Sequence, residues 1–230
     1  MGLHLIATPI GNDQDISLRA LDFLKTVEII ILEEFKESTR FLRAHGIVKG
    51  EGKTFEQLNE HSTKEDIQRL ADLCEKREVA LITDCGTPGF CDPGADLVRE
   101  CRKRKLTVRT LPGASSLMAL LSLSSERLDQ FVFRGFLPAE NEAREKAWKE
   151  TQKETRALII MDTPYRFQKT LQEVKQFFPD RKMLLALDLT SENERVFENY
   201  AAEILKETLP QKAEFLALVY PTNVSGKKKP

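Results

Sequence analysis

Leu81-Ile-Thr-Asp-Cys-Gly-Thr-Pro-Gly-Phe-Cys-Asp-Pro-Gly94 is the segment on which the reading of this chain turns. An apolar run from Val79 to Ile82 passes into a Gly- and Pro-rich loop that carries two aspartates. Such a loop brings bare backbone to the C-terminal edge of a parallel strand, and in open α/β sheets ligands bind outside that edge. Ala7-Thr-Pro-Ile-Gly-Asn12 ends an earlier apolar run in the same manner, and Leu111-Pro-Gly-Ala-Ser-Ser116 ends a third. Gly11 and Gly86 permit backbone conformations that other residues avoid, and Pro9 stiffens the approach. A bland alternative exists for each loop. Asn12 or Asp15 is a possible N-cap, as are Ser115 and Ser116, and Asp92 followed by Pro93 has the pattern of a helix cap. Three such loops on one sheet point to a cofactor site.

Apolar, β-branched runs recur at residues 3–8, 27–32, 79–83, 106–111, 131–136, 157–161, 183–189 and 214–220. Continuous runs such as Ile29-Ile-Ile-Leu32 suit strands buried on both faces. Helical patterns lie between them. Ser62-x-x-Glu65 reads as a capping box ahead of Ile67, Leu70, Ala71 and Cys74 on one face. Phe167, Leu171, Val174 and Phe178 mark a second helix, stopped by Pro179. Strands alternating with helices of this length predict an α/β fold, each domain a mixed, mainly parallel sheet flanked by helices. A change in punctuation near Pro112 and Gly113 places the domain boundary there, giving residues 1–113 and 114–230. Trp148 is expected to anchor the packing of the second domain, and the tail from Ser225 to be disordered.

The 230 residues are 41% hydrophobic and 31% charged, with a formal net charge of −1. That balance argues against a protein that coats nucleic acid globally, although it leaves room for a local basic patch. No apolar run approaches the roughly 20 residues of a membrane span, so no membrane association and a cytoplasmic location are expected. Cys74, Cys85, Cys91 and Cys101 lack CxxC spacing and read as reduced thiols, with no metal. Cys85 and Cys91 share a loop, which leaves a disulfide or metal as the minority alternative. The loops match neither GxGxxG nor a P-loop. Arg102 to Lys105 with Arg109 form the densest basic cluster, read first as a solvated helix end and second as an RNA contact.

Taken in order, Thr8-Pro-Ile-Gly-Asn12, Ser17-Leu-Arg-Ala20, Asp84-x-Gly-Thr-Pro88, Asp92-Pro-Gly94, Leu111-Pro-Gly113 and Gly135-Phe-Leu-Pro138 resemble the tetrapyrrole-methylase superfamily. The likeness is greatest to its small-subunit rRNA (cytidine-2′-O)-methyltransferase branch and extends over essentially the whole chain. It implies a two-domain α/β methyltransferase, usually a homodimer, that binds S-adenosylmethionine in a cleft between domains. By position it implies cofactor contacts from Pro9, Ile10, Gly11, Asn12, Asp84, Gly86, Thr87, Pro88, Phe90, Gly113, Ser115 and Ser116. Met161, Leu187 and Ala213 would add contacts from the second domain. Glu33 and Asp188 are the expected catalytic polar groups, Lys36 a phosphate contact and His61 a substrate residue. The implied partner is ribosomal RNA or the small ribosomal subunit.

The chain also departs from the branch. Glu33-Glu-Phe-Lys36 stands where Glu-Asp-Thr-Arg is typical, and Leu187-Asp-Leu-Thr-Ser191 where Arg-Glu-Leu-Thr-Lys is typical. A lysine is not a bidentate fork. These departures keep two alternatives open. One retains the fold with a small molecule, such as a tetrapyrrole, or another RNA as acceptor. The other is a non-catalytic S-adenosylmethionine sensor or interaction protein.

Overall fold

The computed structural model describes residues 1–50 and 52–222, so the expectation for the tail lies outside the described residues. The chain divides into two compact units, Met1–Ser115 and the remainder from Ser116.

In the first unit β1 (Gly2–Ile6), β2 (Ile29–Leu32), β3 (Thr54–Gln57), β4 (Glu78–Leu81) and β5 (Thr107–Leu111) form one sheet in the order β3-β2-β4-β1-β5. Every ladder in it is parallel. The continuous apolar runs have a direct cause in this arrangement. Ile30, Leu32, Ala80 and Ile82 pack with α1 (Leu18–Thr26) and α2 (Phe35–Ala44) through Ala20, Leu24, Phe41 and Leu42. Their neighbours Ile29, Ile31, Val79 and Leu81 pack with α3 (Lys64–Lys76) and α4 (Ala95–Lys103) through Leu70, Ala71, Cys74, Leu97 and Cys101. Alternate residues face opposite sides of a strand, so helices on both faces require apolar residues at every position. Ser17 caps α1 by accepting from Ala20 N. The capping box of α3 is formed by Thr63 and Asp66, one residue beyond the expected Ser62 and Glu65.

The second unit holds α5 (Ser116–Ser122), β6 (Phe131–Gly135), α6 (Asn141–Thr151), β7 (Ala157–Asp162), α7 (Phe167–Phe177), β8 (Lys182–Leu187), β9 (Arg195–Tyr200), α8 (Ala201–Ile204) and β10 (Phe215–Val219). Its sheet runs β6-β7-β10-β8-β9. It is mixed, as expected, yet only β6 and β7 are parallel; the other three ladders are antiparallel. The parallel bias expected of both domains therefore holds for the first alone. Direction depends on where a chain re-enters a sheet, and an apolar run carries no mark of it. Trp148 is buried and stacks on Phe177 at 5.4 Å between ring centroids. Cys74, Cys91 and Cys101 carry free thiols. Among the described residues, no helix is long and apolar enough to cross a membrane, and no cluster of three or more His, Cys, Asp or Glu could hold a metal.

Candidate active site

Because all five strands of the first sheet run the same way, their exits share one edge. The loops after β4, β1 and β5, three adjacent strands, are bonded into one surface. Thr8 N donates to the Gly86 carbonyl at 2.9 Å and Gly86 N to the Thr8 carbonyl at 3.1 Å. Thr8 Oγ1 donates to the Thr83 carbonyl at 3.1 Å, Ala7 N to the Leu111 carbonyl at 3.2 Å, and Thr87 Oγ1 to the Ala114 carbonyl at 3.3 Å. Gly86 has φ +81, a left-handed conformation that L side chains resist. Gly113 sits so close to Ala7 that a Cβ on it would lie 3.2 Å from the Ala7 methyl. Pro9, Gly86 and Pro88 are buried within this surface, whereas Gly11, Asn12, Thr87, Phe90 and Gly113 are exposed on it; Ile10 and Ser115 lie between these extremes. The three loops singled out from sequence thus converge. Ser116 begins α5 in the second unit.

Beside them, over the exits of β3, β2 and β4, lies a cleft of about 540 Å³ lined by Glu33, Glu34, Glu60, Asp92 and Asp96 with Asn59, His61 and Cys91 among others. No Lys or Arg is among the described residues that line it. Asp84 joins the two features. Its Oδ1 accepts from Glu34 N at 3.3 Å and Ser38 Oγ at 3.0 Å, while its own N–H donates to Glu33 Oε2 at 3.3 Å. Asp84 therefore braces the start of α2 against the β4 loop, a role beyond the ligand contact expected of it. Asp92 is not the cap of α4, whose N-cap is Gly94 at φ 141. The Asp-Pro-Gly pattern is a cap signal locally, but here the carboxylate turns into the cleft and meets the Thr83 hydroxyl. Lys36 is exposed on α2 and is not among the lining residues; His61 stands at the rim, 83% exposed, with Nε2 3.6 Å from Glu60.

The carboxylates perturb one another. Burial pushes Glu33 upward, opposed by the Asp84 N–H and reinforced by the charges of Asp92, Asp84 and Glu34. Burial and the charge of Asp84 push Asp92 upward too, against the Thr83 hydrogen bond. A carboxyl raised on folding binds its proton more tightly in the native state. Its contribution favours the fold at acid pH and is lost as pH rises through the native value. Glu33→Gln is accordingly expected to raise the urea midpoint at about pH 7 and to change it little at about pH 4. An equal shift at both pH values would contradict the repulsion. The negative charge also suits a cationic ligand.

In the second unit Met161, Leu187 and Ala213 lie at one end of the sheet, where Phe215 pairs with both Asp162 and Leu187. Asp188 is engaged there. Its N–H donates to the Glu214 carbonyl at 2.8 Å and its Oδ1 accepts from Glu214 N at 3.0 Å. This two-way pairing holds Asp188 against Glu214, next to Ala213. Asp188 and Thr190 both have positive φ, 46 and 65, a strain that persists only where surrounding structure imposes it. Sequence reasoning missed Ser38, Asp92 as a cleft carboxylate, and a buried Arg144 that bonds Asp162 at 2.7 Å. The polar residues of Arg144's helix gave no sign that one faces inward.

A family model described as tetrapyrrole (corrin/porphyrin) methylases matches residues 2–205. "Ribosomal RNA small subunit methyltransferase I" of Neisseria meningitidis serogroup B is 34% identical over 203 residues, covering 88% of this chain and 68% of that protein. The protein of the same name from Vibrio cholerae is 34% identical over 232 residues, covering 98% and 79%. Among solved structures, a diphthine synthase superposes with a TM-score of 0.72 at 13% identity, covering 95% of this chain and 89% of that one. That likeness bears on the fold alone.

Proposed function

We propose a methyl donor and an acceptor for this chain, which belongs to the tetrapyrrole (corrin/porphyrin) methylase family and is a methyltransferase: S-adenosylmethionine, and a ribose 2′-hydroxyl of small-subunit ribosomal RNA. The observation that carries the reading is the fused surface of three Gly/Pro loops beside a carboxylate-lined cleft. The names of relatives at 34% identity support the acceptor. Pro9, Ile10, Gly11, Asn12, Asp84, Gly86, Thr87, Pro88, Phe90, Gly113, Ser115 and Ser116 are the proposed donor-binding residues, with Met161, Leu187 and Ala213 as further backbone contacts. When bound, the donor supplies an electrophilic methyl group.

What the protein's residues add is alignment and a proton acceptor. Thr8, Gly86 and Thr87 tie the loops so that their backbone is set before ligand arrives, which is the main source of rate in such a transfer. A ribose hydroxyl is a poor nucleophile. Glu33, whose proton affinity is raised by burial and neighbouring carboxylates, is proposed to take the hydroxyl proton as the oxygen bonds to methyl and the methyl–sulfur bond breaks, with S-adenosylhomocysteine as leaving group. A cleft rich in carboxylates repels phosphate, so it suits a ribose and a base with amino donors, and His61 at its rim is a proposed substrate contact. The acid lining also favours, as second reading, an amine-bearing small molecule as acceptor. A homodimer in the cytoplasm completes the proposal.

Calorimetry is expected to show binding of both S-adenosylmethionine and S-adenosylhomocysteine. Labelled methyl should then pass to small ribosomal subunits from a strain lacking this protein, at a ribose. Binding without transfer to any ribosomal RNA would refute the acceptor; no binding of either nucleoside would refute the donor.

A further inference from the structure

At the end of the second sheet where β6 and β7 exit, a short turn of 3-10 helix, Pro164–Arg166, carries Tyr165 with 82% of its surface exposed. Lys212 lies with Nζ 5.3 Å from the centroid of that ring. Neither backbone is loose. The Asp162 side chain is fully buried and accepts from Thr163 N at 2.8 Å, Arg166 at 3.2 Å and Arg144 at 2.7 Å. Pro164 fixes the first position of the turn. Gln168 Nε2 donates to the Pro210 carbonyl at 2.5 Å, tying α7 to the segment that leads to Lys212. An aromatic ring this exposed gains little from burial, and here it is held on a turn braced by a buried ion pair. With a cation over one face, the other is suited to a second flat, electron-rich ring.

We propose that Tyr165 and Lys212 form a stacking platform for an unpaired base of the RNA acceptor, with Lys212 meeting the adjoining phosphate. The inference rests on the RNA reading above and deepens it by supplying a cationic contact that the carboxylate cleft lacks. Asp188 and Glu214 stand at the same end of the sheet, so attraction for phosphate alone is weak there. Stacking, which tolerates any base, carries the contact.

The test uses the full chain with S-adenosylhomocysteine and a labelled single-stranded oligocytidylate. Tyr165→Ala is expected to weaken binding by about 5- to 100-fold, Tyr165→Phe to leave it near wild type, and Lys212→Ala to weaken it by less. S-adenosylhomocysteine affinity should stay the same in all three. Trp148 is the only tryptophan and is 1% exposed, so Tyr165→Trp adds a single exposed reporter whose emission should be quenched as the oligonucleotide stacks. Equal affinity for wild type and Tyr165→Ala, or no quenching at Tyr165→Trp, would overturn the platform. Methyl transfer to ribosomal subunits, followed in parallel, separates the two ideas. Tyr165-dependent oligonucleotide binding without ribose methylation would keep the platform and discard the acceptor. Methylation with an unchanged KM in Tyr165→Ala would do the reverse.

Discussion

Arg144→Ala is expected to destabilise the second unit by about 3–5 kcal/mol, the cost of breaking a buried ion pair from one side. The guanidinium is 1% exposed and every face of it is engaged. Its Nε meets both Glu173 oxygens at 2.9 Å, Nη1 meets Asp162 at 2.7 Å and the Pro138 carbonyl at 3.3 Å, and Nη2 meets Thr170 Oγ1 at 2.8 Å. Pro138 follows β6, Asp162 ends β7, and Thr170 and Glu173 belong to α7, so one side chain ties together two strand exits and a helix. Removing it leaves the fully buried Asp162 carboxylate with Arg166, at 3.2 Å, as its remaining charged partner, and takes the guanidinium from Glu173. Urea unfolding followed by Trp148 emission reports on this unit, because the only tryptophan lies in its core. Arg144→Met combined with Asp162→Asn should cost less than Arg144→Ala alone, since the fully buried carboxylate is then neutral. A midpoint unmoved by Arg144→Ala would show the knot to be dispensable.

Gly86→Val is expected to lower kcat/KM for methyl transfer by about 100-fold, the scale of an ångström-sized misplacement at a reacting centre. Space is not the obstacle. A Cβ at Gly86 would meet only Ile10 Cγ2, at 3.5 Å. The obstacle is φ +81, which costs a residue bearing a Cβ roughly 1–2 kcal/mol and a β-branched one more. The chain can relieve that strain only by turning the peptide whose N–H and C=O form the bridge to Thr8. Gly113→Val acts by the opposite cause: no positive φ, but a methyl 3.2 Å from that of Ala7 and 3.3 Å from its carbonyl. Calorimetry with S-adenosylhomocysteine should show the Gly86→Val loss as weaker binding, with thermal unfolding changed only modestly. Wild-type affinity in Gly86→Val would remove this loop from the donor site.

Among the described residues, eight of the ten strands are legible as apolar runs. The two that are not, β3 and β9, are edge strands. Thr54-Phe-Glu-Gln57 and Arg195-Val-Phe-Glu-Asn-Tyr200 pair on one side only and carry polar residues towards water, which erases the apolar signal. The family motifs located the three loops over β4, β1 and β5, because glycine and proline leave a local mark wherever a strand must turn abruptly. The same locality misled at Asp92, whose Asp-Pro-Gly context is indistinguishable from a helix cap.

Neighbours along the chain settle the strands buried on both faces, the helix stripes and the Gly- and Pro-rich strand exits, so these are legible from residues alone. Where the carboxylates are used depends on contacts between distant segments. Asp84 meets Glu34 and Ser38 across 50 and 46 residues, Asp188 meets Glu214 across 26, and Arg144 meets Asp162 and Glu173 across 18 and 29. A charged side chain takes as partner whatever group the order and direction of the strands bring beside it. Neither order nor direction is written in any window of sequence short enough to be read locally.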